Sequence, residues 1–208
     1  MFEDDIKKFK VVVEGRTPLI MHNCQSADPE NQFSIDMTPL KSKRKKTDLD
    51  RKQIRDLSFL SCLYWSNELN GLYIPTDNLR KMLLESGRAC DQKGAKKQIV
   101  GVSFSNHIGY ALNVKNRSDV EKLKNDASLR YNKVVTIAKA KVPSVRAIFN
   151  IWSFEFEIEI DCAIIDADVI HQWLLYSGKR VGLGGRRPYG PTPGEFGKFS
   201  IESFKEIK

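Results

Sequence analysis

No apolar run in the 208-residue sequence approaches the roughly 18 residues that a membrane-spanning helix needs. The opening residues, MFEDD, are acidic, so the basic head and apolar stretch of a secretory signal are missing. Thirteen glycines and eight prolines are too few for a low-complexity chain. The sequence therefore predicts a soluble, cytoplasmic protein with a single domain over residues 1–208.

Cysteine and histidine are scarce and scattered. The four cysteines, Cys24, Cys62, Cys90 and Cys162, show neither the close spacing of a metal knuckle nor that of a redox pair. No paired-carboxylate metal site stands out either, because Asp166 and Asp168 are explained as the start of a helix. We expect four reduced thiols, no metal and no cofactor.

Positive charge is concentrated in three places. The 34 Lys and Arg against 26 Asp and Glu give a net charge of +8, and residues 41–55, with eight basic and two acidic residues, contribute +6 of it. The other two groups are Lys133, Lys139, Lys141 and Arg146, and Lys179, Arg180, Arg186 and Arg187. Three clusters in one small domain favour nucleic acid over a membrane surface, although Lys41–Lys46 alone fits a solvated loop equally well.

The clearest secondary-structure signal lies at residues 151–161. Apolar and polar residues alternate there strictly, which predicts a strand with one buried and one wet face. The order of elements predicts an α+β fold of the ferredoxin-like or RNA-recognition-motif type, an antiparallel sheet with helices on one face and inserted basic loops. We expect a basic loop at about 22–47, a basic hairpin at about 133–150 whose first strand ends at Pro143, a helix ending at Gly178, and a glycine-rich loop at 178–197.

The glycine-rich loop has the composition of a phosphate-binding segment. Gly182, Gly184 and Gly185 allow close backbone approach and exposed amides, and Arg180, Arg186 and Arg187 supply forked donors. The loop follows a helix and precedes none, so it is not a dinucleotide fingerprint, and it lacks the Gly-Lys-Ser or Gly-Lys-Thr of a Walker loop. Phosphate-backbone binding competes here with a plain hairpin connection.

Three segments resemble the RAMP superfamily of CRISPR-associated proteins, most closely its Cas7 branch. They are Arg16-Thr17-Pro18-Leu19-Ile20 after the first strand, Leu72-Tyr73-Ile74-Pro75 with the helix start that follows, and Gly182–Arg187 with Gly197-Lys198-Phe199. The sequence also resembles uncharacterised phage and prophage proteins, at Met21-His22-Asn23 with Ala27-Asp28-Pro29, at Lys43–Asp48 and at Val142–Trp152.

The Cas7 resemblance implies a subunit that binds single-stranded nucleic acid, guide RNA above all, as repeated copies in an RNA-guided effector complex. Its partners would be guide RNA, target nucleic acid, copies of itself and other effector subunits. The residues expected to bind the sugar-phosphate backbone are Lys41, Lys43, Arg44, Lys45, Lys46, Lys139, Lys141, Arg146, Lys179, Arg180, Gly182, Gly184, Gly185, Arg186 and Arg187.

Two other functions remain open. In some relatives an Asp in the loop after the first strand supports RNA cleavage, and Asp28 or Asp36 occupies that region here; Cas6-like relatives process guide RNA, often with a His, for which His22 is the candidate. Turn formation explains the aspartates and a surface position explains His22, so we favour a binding subunit over an endoribonuclease. The phage resemblance favours a single-strand-binding or interference protein.

Overall fold

The computed structural model describes residues 5–90, 94–137 and 140–208. The strands are β1 (Ile6–Gly15), β2 (Leu19–Ile20), β3 (Trp65–Ser66), β4 (Gly71–Pro75), β5 (Val102–Phe104), β6 (Gly109–Asn113), β7 (Arg130–Ile137), β8 (Ala140–Phe149), β9 (Ser153–Asp161) and β10 (Phe199–Ile207). The helices are α1 (Gln32–Ser42), α2 (Asp48–Ser61), α3 (Thr76–Cys90), α4 (Ala95–Gln98), α5 (Val120–Asn125) and α6 (Ala167–Tyr176).

The main sheet is antiparallel and runs β10-β1-β9-β6-β4-β3, with β5 pairing beside β6 on the same edge of β9. Helix α3 lies between β1 and the β5–β6 pair in the chain, and α6 lies between β9 and β10. The chain therefore follows the β-α-β-β-α-β order of a ferredoxin-like fold. The predicted fold class is confirmed.

Both helices cover one face of the sheet. Phe154, Phe156, Ile158 and Ile160 of β9 are buried beneath them, as the alternating pattern predicted. Helix α6 packs closely on α3, because a Cβ at Gly87 would fall 2.6 Å from the ring of Trp173. Burial of these large side chains is the dominant stabilising term for the fold.

The opposite face of the sheet carries paired charges. Lys8 binds Glu157 over 2.8 Å and Lys10 binds Glu155 over 2.9 Å, while Ser103 donates to Glu159. The hydrogen bond from Lys8 lowers the pKa of Glu157 below its usual range. Because Lys8 and Lys10 are already paired with carboxylates of the same face, this face is a poor surface for phosphates.

A second, three-stranded sheet has the order β2-β8-β7, and its residues Leu19, Ala147 and Phe149 belong to the core. Strands β7 and β8 form the predicted basic hairpin, and β8 pairs with β2 through Phe149 and Ile148. Arg130 of β7 fastens the hairpin to α2, since its guanidinium donates to Asp56 over 2.6 Å and lies above the Phe59 ring. Strand β8 continues through Pro143, which pairs with Val134, so the prediction that a strand ends there was wrong.

Two further boundary predictions were wrong. Residues 22–47 are not one loop, because α1 occupies residues 32–42; Asn31 caps it by accepting the Phe33 amide, and Met37 is its only buried residue. Its polar sequence and internal Pro39 hide the helical period. After α6 a π-helical turn continues to Val181, so Gly178 lies inside the helical path and Gly182, with φ of 74°, ends it.

None of the helices in the described ranges is both long enough and apolar enough to span a bilayer.

Candidate nucleic-acid interface

Backbone hydrogen bonds lock the glycine-rich segment onto β2. The Gly185 amide donates to the Ile20 carbonyl over 2.8 Å, and the Gly197 amide donates to the Pro18 carbonyl over 2.8 Å. These bonds place Gly185 beside two other predicted regions: a Cβ at Gly185 would lie 3.3 Å from Nη1 of Arg146 and 3.6 Å from Cβ of His22. The loop after β2, the basic hairpin and the glycine-rich segment therefore meet at one point.

The glycines serve close packing rather than display of amides. Gly184 has φ of 73°, and a Cβ there would fall 2.4 Å from the Ile20 carbonyl oxygen. The amides of Gly182 and Gly185 already donate to Ser177 and Ile20. The prediction that glycine amides are exposed to a ligand was wrong for these two residues.

His22 lies where two cavities meet. The first has a volume of about 100 Å³. Its lining includes the polar side chains of Tyr64, Asn78, Lys81 and Arg187, and also Gly182 and Gly184. The second, of about 310 Å³, includes Cys24, Lys41 and Arg146 in its wall. Tyr64 fixes the backbone between them by donating its hydroxyl to the His22 carbonyl over 3.0 Å.

The surroundings of His22 disfavour its charged form. Partial burial lowers the pKa of the imidazole below its ordinary 6.5, and the Arg146 guanidinium lowers it further. His22 Nε2 lies 3.7 Å from the Cys24 Sγ. The His22 imidazole is thus neutral at physiological pH. It belongs to the walls of both cavities, and in the second cavity it lies beside the Arg146 cation.

A third cavity, of about 350 Å³, extends the second one along α2. The two share Lys41, Ser58, Pro143 and Val145, and the third adds Lys46, Ile54, Arg51 and Arg55. We call the second and third cavities together the basic groove; its cations are Lys41, Lys46, Arg51, Arg55 and Arg146. Within residues 5–90, 94–137 and 140–208, neither Lys41, Arg55 nor Arg146 forms an ion pair.

Only some of the predicted binding residues line these cavities. Lys41, Lys46 and Arg146 belong to the basic groove, and Gly182, Gly184 and Arg187 belong to the small cavity. The remaining described ones are absent from those walls: Lys43, Arg44, Lys45, Lys141, Lys179, Arg180, Gly185 and Arg186. Lys139 lies outside the described residues.

Two predicted cations serve the fold. Lys43 binds the buried Asp50 over 2.6 Å, and this contact, with hydrogen bonds from Thr47, lowers the pKa of Asp50 to about 2. Arg187 donates from Nη2 to both carboxylate oxygens of Glu85, at 3.1 and 2.9 Å, with both side chains largely buried. Neither charge is free to neutralise a phosphate at no cost to the structure.

The predicted catalytic aspartates do not join His22. Asp28 is exposed and accepts the Glu30 amide over 3.0 Å, which is the turn geometry expected of aspartate. Asp36 accepts from Gln32 on α1 and lines a different cavity. In the part of the chain that the structure describes, no group of three His, Cys, Asp or Glu side chains is arranged to hold a metal.

Sequence reasoning missed Arg51, Arg55 and Lys81. Arg51 and Arg55 are four residues apart on α2, so they share one face of the helix. That spacing was visible within the basic window and could have assigned them to the site. Lys81 on α3 carried no comparable signal, because only the tertiary fold brings it to the His22 cavity.

Neither a protein-family profile nor a curated protein matches the chain. Among solved structures, the chain is similar to a subunit of the Type III-B Cmr-beta complex, determined by cryo-electron microscopy bound to cognate target RNA. The likeness has 14% sequence identity and a TM-score of 0.55, and covers 98% of this chain but 61% of that one. It shows that the two share a fold, and that this chain spans about three fifths of the length of its neighbour.

Proposed function

We propose that this protein binds single-stranded nucleic acid along its backbone, with RNA as the preferred ligand, in the manner of a Cas7-like subunit. The observation that carries the proposal is the basic groove. It brings cations from α1, α2 and the β7–β8 hairpin to one surface, and Lys41, Arg55 and Arg146 there lack carboxylate partners within the described residues. Clustered free cations are what a phosphate backbone requires.

The Cmr-beta neighbour supports RNA as the ligand and a multi-subunit complex as the setting, since that assembly was determined with cognate target RNA. In the full proposal the bound strand is guide RNA, and repeated copies of the chain align along it beside other effector subunits. The neutralised outer face of the main sheet supports the groove, rather than the open sheet, as the binding surface.

The test is the salt dependence of binding to labelled single-stranded RNA, single-stranded DNA and duplex RNA. Lys41→Ala and Arg146→Ala should each weaken single-strand binding and reduce the slope of log K against log salt by about 0.7. Lys205→Ala, an exposed lysine on β10 away from the groove, is the matched control and should change neither quantity. No affinity for single strands, or equal losses in all three variants, would overturn the proposal.

One observation favours a second candidate, an endoribonuclease. His22 is held uncharged beside Arg146 and shares a cavity with Lys81, so its imidazole could take the 2′-hydroxyl proton while a cation stabilises the phosphorane charge. The bond between phosphorus and the 5′-oxygen then breaks and that oxygen takes a proton from water, which leaves a 2′,3′-cyclic phosphate and a 5′-hydroxyl. Products of this kind from the parent chain and not from His22→Ala would favour cleavage, with Asp28→Ala as the comparison for the other predicted residue; intact RNA would exclude it.

A further inference from the structure

The third cavity is a cleft between α2 and β8 with two kinds of wall. Its interior is formed by Ile54 and Ser58 of α2 and by Pro143 and Val145 of β8. Val145 is only 7% exposed, so the floor of the cleft belongs to the edge of the core. Its remaining wall residues are Lys41, Lys46, Arg51 and Arg55. Apolar side chains and cations thus line the same cleft.

Phosphate binding alone does not account for this arrangement. A phosphate placed against Ile54 and Val145 would lose hydration without gaining hydrogen bonds, which is strongly unfavourable. The volume of about 350 Å³ lies at the lower end of the range of roughly 300–1,000 Å³ that small organic ligands occupy. The cleft therefore suits a flat, weakly polar group attached to negative charges.

We infer that this cleft is a nucleobase subsite of the proposed single-strand groove. The inference rests on the proposed function and adds a contact to the base, where that function requires only contacts to the backbone. One base leaves the stack of its neighbours and inserts between Ile54 and Val145. The phosphates on either side of it bind Lys41 and Arg55, which line the same cleft.

The inference does not imply that sequence is read. The polar groups of the cleft are the Ser58 hydroxyl, which already donates to the Met37 sulfur, and the cationic side chains at the rim. Such a set offers donors but no fixed pattern that separates one base from another. The subsite would accept any base, and its contribution would be stacking and desolvation.

The experiment measures the affinity of the full chain for two labelled strands of equal length and identical sugar-phosphate backbone. One strand carries uridine at every position, and the other is abasic. Because the two strands carry the same charge, their affinity ratio isolates the contribution of the bases. We expect the uridine strand to bind about tenfold more tightly. Ser58→Leu, which fills the cleft and leaves every cation in place, should bring the ratio close to one; Ser103→Leu, the same change on exposed β5, should leave it unaltered.

A second pair of variants guards against misfolding of Ser58→Leu. Ile54→Trp occludes the cleft from α2, and Leu49→Trp adds the same ring to a position of that helix that is 70% exposed. Equal binding of the abasic and uridine strands by the parent chain would overturn the base subsite and leave backbone binding intact. A ratio that all four variants leave unaltered would also overturn it, and binding of neither strand would overturn both proposals.

Discussion

Nη1 of Arg146 lies 3.3 Å from the place that a Cβ at Gly185 would occupy, and the Ile20 side chain is equally close. The glycine-rich segment thus borders the groove cation directly. Gly185→Ala requires Arg146 to move by a few tenths of an ångström and should leave the protein folded with altered affinity for single strands. Anisotropy titration and a thermal melt measure the two effects.

Gly184→Ala should act on stability instead. Gly184 adopts a left-handed conformation, and the Ile20 carbonyl oxygen, 2.4 Å from a Cβ there, belongs to the backbone and cannot rotate away. The strained conformation alone costs about 1–2 kcal/mol, so we expect a loss of at least about 2 kcal/mol in unfolding free energy. Denaturant unfolding checks this. Equal unfolding free energies for Gly184→Ala and Gly185→Ala would contradict the close packing of Gly184 against Ile20.

The contact between Arg130 of the hairpin and Asp56 of α2 should stabilise the protein more than an exposed ion pair does. Arg130 is 16% exposed at its side chain and donates to Asp56 and, over 2.5 Å, to the Lys124 carbonyl. Arg130→Ala should lower the unfolding free energy by about 2–3 kcal/mol, because it leaves the Asp56 carboxylate without its partner. Arg51→Ala, which removes an exposed pair with Asp48 on the same helix, should change it by less than about 1 kcal/mol.

Affinity should rise as the pH falls through the titration of His22. The pKa of His22 is lowered in the folded chain, so the imidazole is neutral at pH 7 and adds a positive charge beside Arg146 only on acidification. Bound phosphates favour that charge, so binding takes up a proton. His22→Gln should remove this step and His107→Gln, at an exposed position elsewhere, should retain it.

The same shift has the opposite sign for stability. Because the unfolded chain binds a proton at His22 more readily than the folded one, stability is highest above pH 6.5 and is lost as the pH falls from there through the lower pKa of the folded protein. Denaturation midpoints should fall over this range for the parent chain by more than for His22→Gln. An equal fall in both proteins would contradict the assignment.

Cysteine labelling should distinguish the groove from the core. Burial raises the pKa of the Cys62 thiol to about 11, and its sulfur accepts the Ala147 amide over 3.1 Å, so it should resist alkylation in the native protein. Cys24 is exposed in the groove wall and should react readily. Bound single-stranded RNA should protect Cys24 and leave unprotected the exposed Cys90, which does not line the groove. Peptide mass spectrometry gives both alkylation rates.

Sequence patterns predicted the elements whose period is strong. The alternation of β9 predicted its buried face and its wet face, and Asp166 and Asp168 were assigned to the start of a helix; the structure shows that Asp166 caps α6 by accepting the Asp168 amide. Helix α1 was missed because it buries a single residue, Met37, and so has no apolar stripe. Elements that pack weakly leave little trace in hydrophobic periodicity.

For the site, composition predicted the charge but not its distribution in space. Lys41 and Arg146 were assigned to the interface and line the groove, whereas Lys43 is held by Asp50 and Arg187 by Glu85. Sequence cannot separate a free cation from one committed to a distant carboxylate, since Glu85 and Arg187 are 102 residues apart. The contributions of Lys179 and Arg180, which are exposed in the π-helical turn after α6, remain predictions.

The pairing of β1 with β10 has a consequence for biosynthesis. Residues 6–15 find their partner only when residues 199–207 have been made, and the Gly185 and Gly197 amides that shape the His22 region bond to Ile20 and Pro18 at the other end of the chain. Contacts so distant in sequence form late and slowly. The shape of the His22 region, and with it part of the surface proposed to bind single strands, is therefore completed only after residues 199–207 have been synthesised.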